Sequence, residues 1–573
     1  MSTEDAEQLA LDGLAPRKRR KRAPAPKTPA AEHPIAQVVL DIQATHLGQT
    51  FDYYVEEKYS EDAQPGVMVR VRFGGQRVNG IVWNRTDTSE TPESSLRFIE
   101  RVVSDRVLVP ASMRNDATLI ADAFGGTRAN ILRLSVPARV ARVEQEQRLG
   151  NRTNIEKNRC GESLAKAERE SYEQLQRQYG NINLLHEALE SQRFQSFVFD
   201  PLPGADHWRQ CAAWMVVSAL LQGKPAVLVL PTMREIEDMA ETLQAIGLRL
   251  FAPMQSSNGA YDGDFAILNA QMAPAERYRA YLAICEGQVR CVIGTRAAMY
   301  APVDGNALFF ILDDVCYQDA DGMMPYANAR GVLRLRAKSH NGVFVAMANA
   351  RSVQSQWETD AAHVRATQVS GFSTPIHAFP AVTKEASPWI RWLNRDELAR
   401  LADATIGARV PHTAVRVLSK ALESGPVLLS IPQDGISEAL SCAKCHRQAR
   451  CSYCTGPLER LLDGSVRCRW CGSATVQWAC PACQGERMRV VRVGAAGTAQ
   501  ELSRCFVAFL LCFQRRASRV ALFPILDLRR SWSSPLPVPN PVCVGGILRS
   551  VNTVLWPFLT HGPACTRSVS TRA

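Results

Sequence analysis

Hydrophobic and polar positions change rhythm several times along this chain, and each change marks an element type. From Ile35 the runs QVVLDI, TFDYYV, VMVRVRF and VNGIVW are short and β-rich. Turn signals such as Gln64-Pro65-Gly66 and Gly74-Gly75 separate them, which predicts a small β-rich domain over 34–142. Residues 143–190 are polar, with helical spacing in the later part, and predict a linker and a small helical domain. From about residue 194 the order becomes strand, loop, helix. SFVFD, AVLVLP, FAIL, VRCVIGT and ALFFILDD are continuous apolar runs, suited to strands buried on both faces. Helical candidates such as Arg234 to Ile246 lie between them, so the expected fold is multidomain α/β with an open parallel sheet. VFVAMANA and PVLLSIP are candidates for further strands. No apolar run reaches the roughly 18 residues of a membrane span; CFVAFLLCF, from Cys505 to Phe513, is half that length.

Size and charge narrow the classes. At 573 residues the chain exceeds one core, and about three to five domains are expected. A net charge of +11 favours an anionic partner, because clustered Lys and Arg displace the counterions condensed on a phosphate backbone. The run Arg17-Lys18-Arg19-Arg20-Lys21-Arg22, followed by Ala/Pro alternation, predicts a disordered basic tail over 1–33. The acidic start MSTEDAEQLALDGL has no apolar core, so no signal peptide is expected and the location is taken as cytoplasmic.

Eight of the 17 cysteines fall into four C-x-x-C pairs: Cys442/Cys445, Cys451/Cys454, Cys468/Cys471 and Cys480/Cys483. That spacing indicates metal ligation in a reducing compartment rather than disulfides. Eight thiolates suit two tetrahedral zinc ions, with no position left for a catalytic water. Spacing alone does not decide which pairs share a metal. Cys471-Gly472 and Cys480-Pro481 have the form of knuckle turns, and His446 is surplus to the ligand set. Residues 441–495 carry nine Lys/Arg against three Asp/Glu. Tyr453, Trp470 and Trp478 lie among them and suit either base stacking or packing of a tiny core.

A parallel α/β domain in a basic protein raises the question of ATP. Phosphate binding needs G-x-x-x-x-G-K-[ST] after the first strand, where backbone N–H groups and a Lys cradle the phosphates. Here that place reads Pro201-Leu202-Pro203-Gly204-Ala205-Asp206-His207-Trp208, with two prolines that lack donors and an added negative charge. Gly223-Lys224 precedes Pro225 and lacks the leading glycine. Asp313-Asp314 could serve magnesium, but without a phosphate cradle they read better as strand-end carboxylates. ATP is therefore not expected as a cofactor, and no catalytic residue is assigned.

Taken together, these blocks resemble the PriA family of primosomal proteins, members of the superfamily 2 helicases, over about Pro34 to Arg504. The eight-cysteine spacing carries the resemblance best. It is joined by Thr50-Phe51-Asp52-Tyr53, Pro65-Gly66-Val67, Val69 to Gly74, Gly294-Thr295-Arg296, Gly425 to Leu429 and Ala496-Gly497-Thr498. The resemblance implies that 34–142 captures the 3′ end of a nascent strand through Phe51, Asp52, Gly74 and Arg97. It implies a winged-helix-like 143–190, a RecA-like lobe over 191–360 with degenerate nucleotide motifs (Gly204, Asp313, Asp314), and 361–440 as the remainder of the α/β region. A zinc module follows at 441–490, with Cys442, Cys445, Cys480 and Cys483 on one ion and Cys451, Cys454, Cys468 and Cys471 on the other.

The implied function is recognition of stalled or branched forks and recruitment of partners that reload the replicative helicase. Branched and single-stranded DNA, other primosome proteins, single-strand-binding protein and the replicative helicase or its loader are the implied partners, with no membrane. Three departures from the family are expected to remove the motor: the altered phosphate loop, Asp313-Asp314-Val315-Cys316 where family helicases carry Asp-Glu-Glu-His, and the lack after Arg504 of the second lobe's arginine finger and remaining helicase motifs. The rival readings are an ATP-dependent 3′→5′ helicase with a divergent pocket, and a zinc-ribbon interaction protein that binds no DNA. Residues 491–573 are expected to be a truncated second-lobe remnant and an atypical tail. From Cys505 onward the tail has eight Arg, no Lys and one acid, Asp527. A reading-frame change is one hypothesis for that tail, and resequencing of the coding DNA tests it: an intact frame giving the same tail rejects it.

Overall fold

The computed structural model describes residues 27–149, 161–254, 260–317 and 327–360 and, with short interruptions, 371–524. Most of the basic tail, Trp470 and everything beyond Pro524 lie outside the described residues. Two compact units divide the chain at Pro388/Trp389.

The first unit opens with β1 (Ile35–Leu40), β2 (Phe51–Tyr54), β3 (Val67–Phe73), β4 (Gln76–Thr86), β5 (Arg97–Phe98) and β6 (Arg101–Val107). They form a six-stranded sheet in the order β5-β2-β1-β4-β3-β6. Alternation in β3 buries Val67, Val69 and Val71 and turns Arg70 and Arg72 outward. Phe73 pairs with Gln76, so Gly74 and Gly75 make a two-residue turn with φ of 55° and 83°. Such a turn needs positive φ at both positions, which is why both are glycine.

The last third of the expected β-rich domain is helical. α1 (Ala111–Phe124) and α2 (Arg128–Ser135) follow the sheet, α1 burying Met113, Ala117, Ile120 and Ala121 on one face. Thr127 and Asn130 close a capping box at the start of α2, a device typically contributing about 1 kcal/mol. α3 (Ala141–Leu149), α4 (Gly161–Gln178) and α5 (Ile182–Glu190) complete the helical segment.

Seven parallel strands make the large sheet: β7 (Gln195–Asp200), β8 (Ala226–Val229), β9 (Phe265–Leu268), β10 (Cys291–Gly294), β11 (Leu308–Leu312), β12 (Val343–Met347) and β13 (Thr374–His377). Their order is β9-β10-β8-β11-β12-β7-β13, and every adjacent pair is parallel. All residues of β8, β11 and β12 are buried, as continuous apolar runs between helical layers require. α6 (His207–Leu221), α7 (Met233–Ala245), α8 (Pro274–Cys285), α9 (Ala329–Ser339) and α10 (Val353–Thr359) supply those layers.

One core cluster crosses from the small sheet into the large one. Val39 and Ile81 belong to it, with Ile120 of α1, Tyr281 of α8 and Phe309 of β11. Two buried acids lie in this junction. Asp116 of α1 accepts from Arg336 Nε at 2.8 Å and lies 3.0 Å from His340 Nε2. Glu144 of α3 accepts from Ser104 and Tyr278 at 2.7 and 2.6 Å, and pairs with Arg139.

The second unit holds two further sheets. β14 (Val427–Ser430) pairs with β20 (Arg519–Pro524), which pairs with β19 (Phe509–Gln514). Between β14 and β19 in sequence come β15 (Ser437–Cys442), β16 (Leu458–Arg460), β17 (Val466–Cys468) and β18 (Met488–Val493), in the order β17-β16-β15-β18. The cysteine block is thus an insertion within a sheet. Part of the tail in which the sequence shows no domain supplies that sheet's hairpin.

Candidate DNA-end cleft, cysteine knuckles and nucleotide region

A cleft of about 1040 Å³ opens on the small sheet, and Phe51, Asp52, Gly74 and Arg97 all line it. β2 presents Phe51 and Asp52, the β3–β4 turn presents Gly74, and Arg97 lies on β5 opposite Tyr53. Phe51 meets Phe73 edge-on at 4.8 Å between ring centroids, which fixes an aromatic surface within the cleft. Arg97 is exposed. Burial pushes the Tyr53 phenol up, partly offset by Arg97, and the Tyr53 hydroxyl donates to Arg72 O at 3.1 Å. Arg72 also lines the cleft, with its Nε on Glu100 at 2.7 Å. A side chain at Gly74 would meet nothing within 4 Å, so the turn conformation requires the glycine and no protein neighbour does.

The β4–β5 loop forms the facing wall, with Thr88, Ser89, Glu90 and Thr91. Ser89 Oγ donates to Asp52 Oδ2 at 2.5 Å. Sequence reasoning missed this partner because it stands 37 residues away in a polar loop with no motif. The run of Ser and Thr between two strands was the available signal.

The eight cysteines gather into the two sets that the resemblance implies: Cys442, Cys445, Cys480 and Cys483, and Cys451, Cys454, Cys468 and Cys471. Sulfur pairs lie 3.5 and 3.6 Å apart in the first set, and 3.8 and 3.4 Å in the second. Four thiolates at about 2.3 Å from a tetrahedral zinc stand roughly 3.8 Å apart, so both sets fit that ion. Among the described residues these are the only groups of three or more His, Cys, Asp or Glu placed to hold a metal.

All four knuckles share one backbone pattern. The first cysteine's N–H donates to the carbonyl five residues on: Arg447, Gly456, Ser473 and Gly485. The residue after the second cysteine takes positive φ (His446, Thr455, Gly472 and Gln484) and returns its N–H to the first cysteine's carbonyl. His446 therefore occupies a turn position and belongs to neither cysteine set. Trp478 is buried, its Nε1 donating to Arg450 O at 3.0 Å, so it packs the small core. Tyr453 is 81% exposed.

Where a nucleotide would have to sit, several polar groups are engaged within the protein. In the loop after β7, Pro201 and Leu202 are buried, and the Leu202 N–H is committed to the Tyr179 hydroxyl at 2.9 Å. Gly204 takes φ of 132°, where an added Cβ would sit 3.1 Å from the His207 ring. Asp206, paired with Arg209, stands at the N-terminus of α6. That is where an anionic phosphate would need the helix dipole for itself. Lys224 is turned away to the carbonyls of Leu189 and Ser191, closing α5.

At the end of β11, Asp314 is 3% exposed. Its Oδ2 accepts from Arg330 Nε at 2.8 Å and from Ser352 and Ser355 at 2.6 and 2.8 Å. Arg330 in turn forks onto Glu358 at 2.9 and 2.8 Å. Burial, then Glu235 and Asp314, push the Asp313 carboxyl up. Of the two acids, one is a buried structural pair and the other disfavours charge.

A β-rich domain joined to a parallel α/β lobe in the first unit, and paired four-cysteine knuckles inserted in a sheet of the second, define a multidomain α/β protein with two candidate metal sites. The family model for the PriA 3′ DNA-binding domain (3′BD) matches residues 37–137. The probable replication restart protein PriA of Mycobacterium leprae is 32% identical over 81% of this chain and 67% of its own. This chain belongs to the PriA family. The Mycobacterium tuberculosis relative of the same description is 30% identical over 91% of this chain and 76% of its own. Among solved structures, RecG bound to a three-way DNA junction aligns at 13% identity over 47% of this chain and 30% of that one, with a TM-score of 0.23. That overlap is too loose to add weight.

Proposed function

We propose that this chain is a replication-restart factor that binds branched DNA at stalled forks and holds the free 3′ end of the nascent strand in the cleft on its small sheet. The carrying observation is the convergence of Phe51, Asp52, Gly74 and Arg97 on that one cleft. Phe51 offers a face for the terminal base, Asp52 accepts from the terminal hydroxyl, and the Arg97 guanidinium meets the last phosphate. The knuckles hold two zinc ions, each closed by four thiolates, so the metals supply structure and leave no open coordination position. Exposed Tyr453, among basic residues, gives the module a surface for single-stranded DNA. The module recruits primosome partners (single-strand-binding protein, and the replicative helicase or its loader), and the protein works in the cytoplasm on the nucleoid.

Fork binding proceeds without ATP hydrolysis. The loop after β7 has no phosphate cradle, and Arg330 occupies Asp314. With fork DNA present, ATP turnover stays below ~1 s⁻¹; a higher rate overturns this part. For end capture, forks with a free 3′-hydroxyl should bind at least about tenfold tighter than forks blocked there, the size of one ionic hydrogen bond. Equal affinity removes the assignment.

A further inference from the structure

The wall facing Asp52 has a directed hydrogen-bond chain. The Thr91 N–H donates to Ser89 Oγ at 3.0 Å, so that oxygen is occupied as an acceptor. Ser89 Oγ lies 2.5 Å from Asp52 Oδ2. An ionised carboxylate has no proton to give, so the serine proton points at Asp52. The chain thus runs from the Thr91 N–H through the Ser89 hydroxyl to the Asp52 carboxylate. Among the described residues, Oδ2 is engaged and Oδ1 has no hydrogen-bond partner. Glu90 adds a second carboxylate to the lining.

We infer that Ser89 is a positioning residue that makes this cleft select a strand terminus bearing a hydroxyl donor and reject one bearing a phosphate. The inference rests on the reading of the cleft as the 3′-end site. A carboxylate anchored by one oxygen presents the other as a fixed acceptor, and only a terminus with a proton to donate satisfies it. A 3′-deoxy end brings neither donor nor charge. A 3′-phosphate brings close to two negative charges and acceptor oxygens towards Asp52 and Glu90. The order of affinity is hydroxyl, then deoxy, then phosphate. Ser89→Ala removes the anchor and frees the carboxylate to turn, whereas Ser89→Thr keeps a hydroxyl at the same branch.

The test is fluorescence anisotropy on forks that differ only at the 3′ terminus (hydroxyl, dideoxy or phosphate), with the full-length wild type, S89A and S89T. The expected result is that S89A loses most of the hydroxyl-over-deoxy preference, a change of about tenfold for one charge-assisted hydrogen bond. It also narrows the penalty on phosphate, and S89T keeps the wild-type order. An S89A protein with the full wild-type preference overturns the role of Ser89 while leaving the 3′-end reading intact. So does an equal loss of affinity at all three termini, which marks a merely structural role. A wild type that does not distinguish the termini overturns the 3′-end reading and this inference with it.

Discussion

Arg330 shows how a single side chain can tie two buried carboxylates into one network. Its guanidinium spans Asp314 and Glu358, and Asp314 Oδ1 remains buried without a partner. Replacing it by Met leaves two buried carboxylates without their main cation, which typically costs about 3–5 kcal/mol. Urea unfolding of R330M should show a loss of that size; a loss under about 1 kcal/mol would contradict the network. The pH dependence has a defined sign. Burial pushes Glu358 upward, but the bonds to Arg330, with Arg334 and Ser373, hold its carboxyl below the ordinary glutamate range. A lowered folded value gives stability that is full above the unfolded value near ~4.3 and lost as pH falls through the folded one. The gap between wild type and R330M should therefore shrink below about pH 4. At this scale Phe51, Asp52 and Gly74 were legible because each stands in a short local string, Thr50 to Tyr53 or Val69 to Gly74. Ser89 and Arg330 were not, since each acts only through a partner that folding brings to it.

Elements follow their apolar patterns unevenly. The fully buried strands β8, β11 and β12 were legible as continuous Val, Ile, Leu and Phe runs. α1 was not: its buried face includes Ala and Asp116, and the spaced polar residues blur the period. In the knuckles, only Gly472 among the four positive-φ residues is a glycine, so three of the four turns carried no glycine signal. If the metal sets the shape, it must be present in a fixed ratio. Elemental analysis of purified protein should find two zinc ions per chain, and Cys451→Ser should reduce this to one by disrupting a single set. A chelator should then unfold the knuckle sheet while the parallel sheet keeps its far-ultraviolet signal. Tyr453→Ala should weaken single-strand binding about tenfold, in the range of one lost stacking contact. An unchanged affinity places the single-strand surface elsewhere.

At the scale of the first unit, the small sheet is joined to the parallel lobe by a shared core and by Asp116. Arg336, 1% exposed, meets Asp116 and the carbonyls of Met299 and Ala301. Burial pushes Asp116 upward, yet Arg336 and His340 hold its carboxyl below the usual range. Its contribution is thus present at neutral pH and lost on acidification through that lowered value. Asp116→Asn should speed amide hydrogen exchange in both α1 and α9 while β8, β11 and β12 stay protected. Exchange unchanged in the two helices would show that the apolar contacts alone make the joint.

The placement of the knuckles has a consequence for assembly. β15 and β18 run antiparallel from Ser437↔Val493 to Cys442↔Met488, so the two ends of the insert, Ser437 and Val493, lie side by side. To β14 and β19, the metal-filled insert is topologically a short bend. Stripped of metal, it becomes free coil, and the span from Ser430 to Phe509 grows roughly fourfold in effective length, an entropic cost of about 1 kcal/mol. Zinc scarcity would thus be felt in a sheet that touches no zinc.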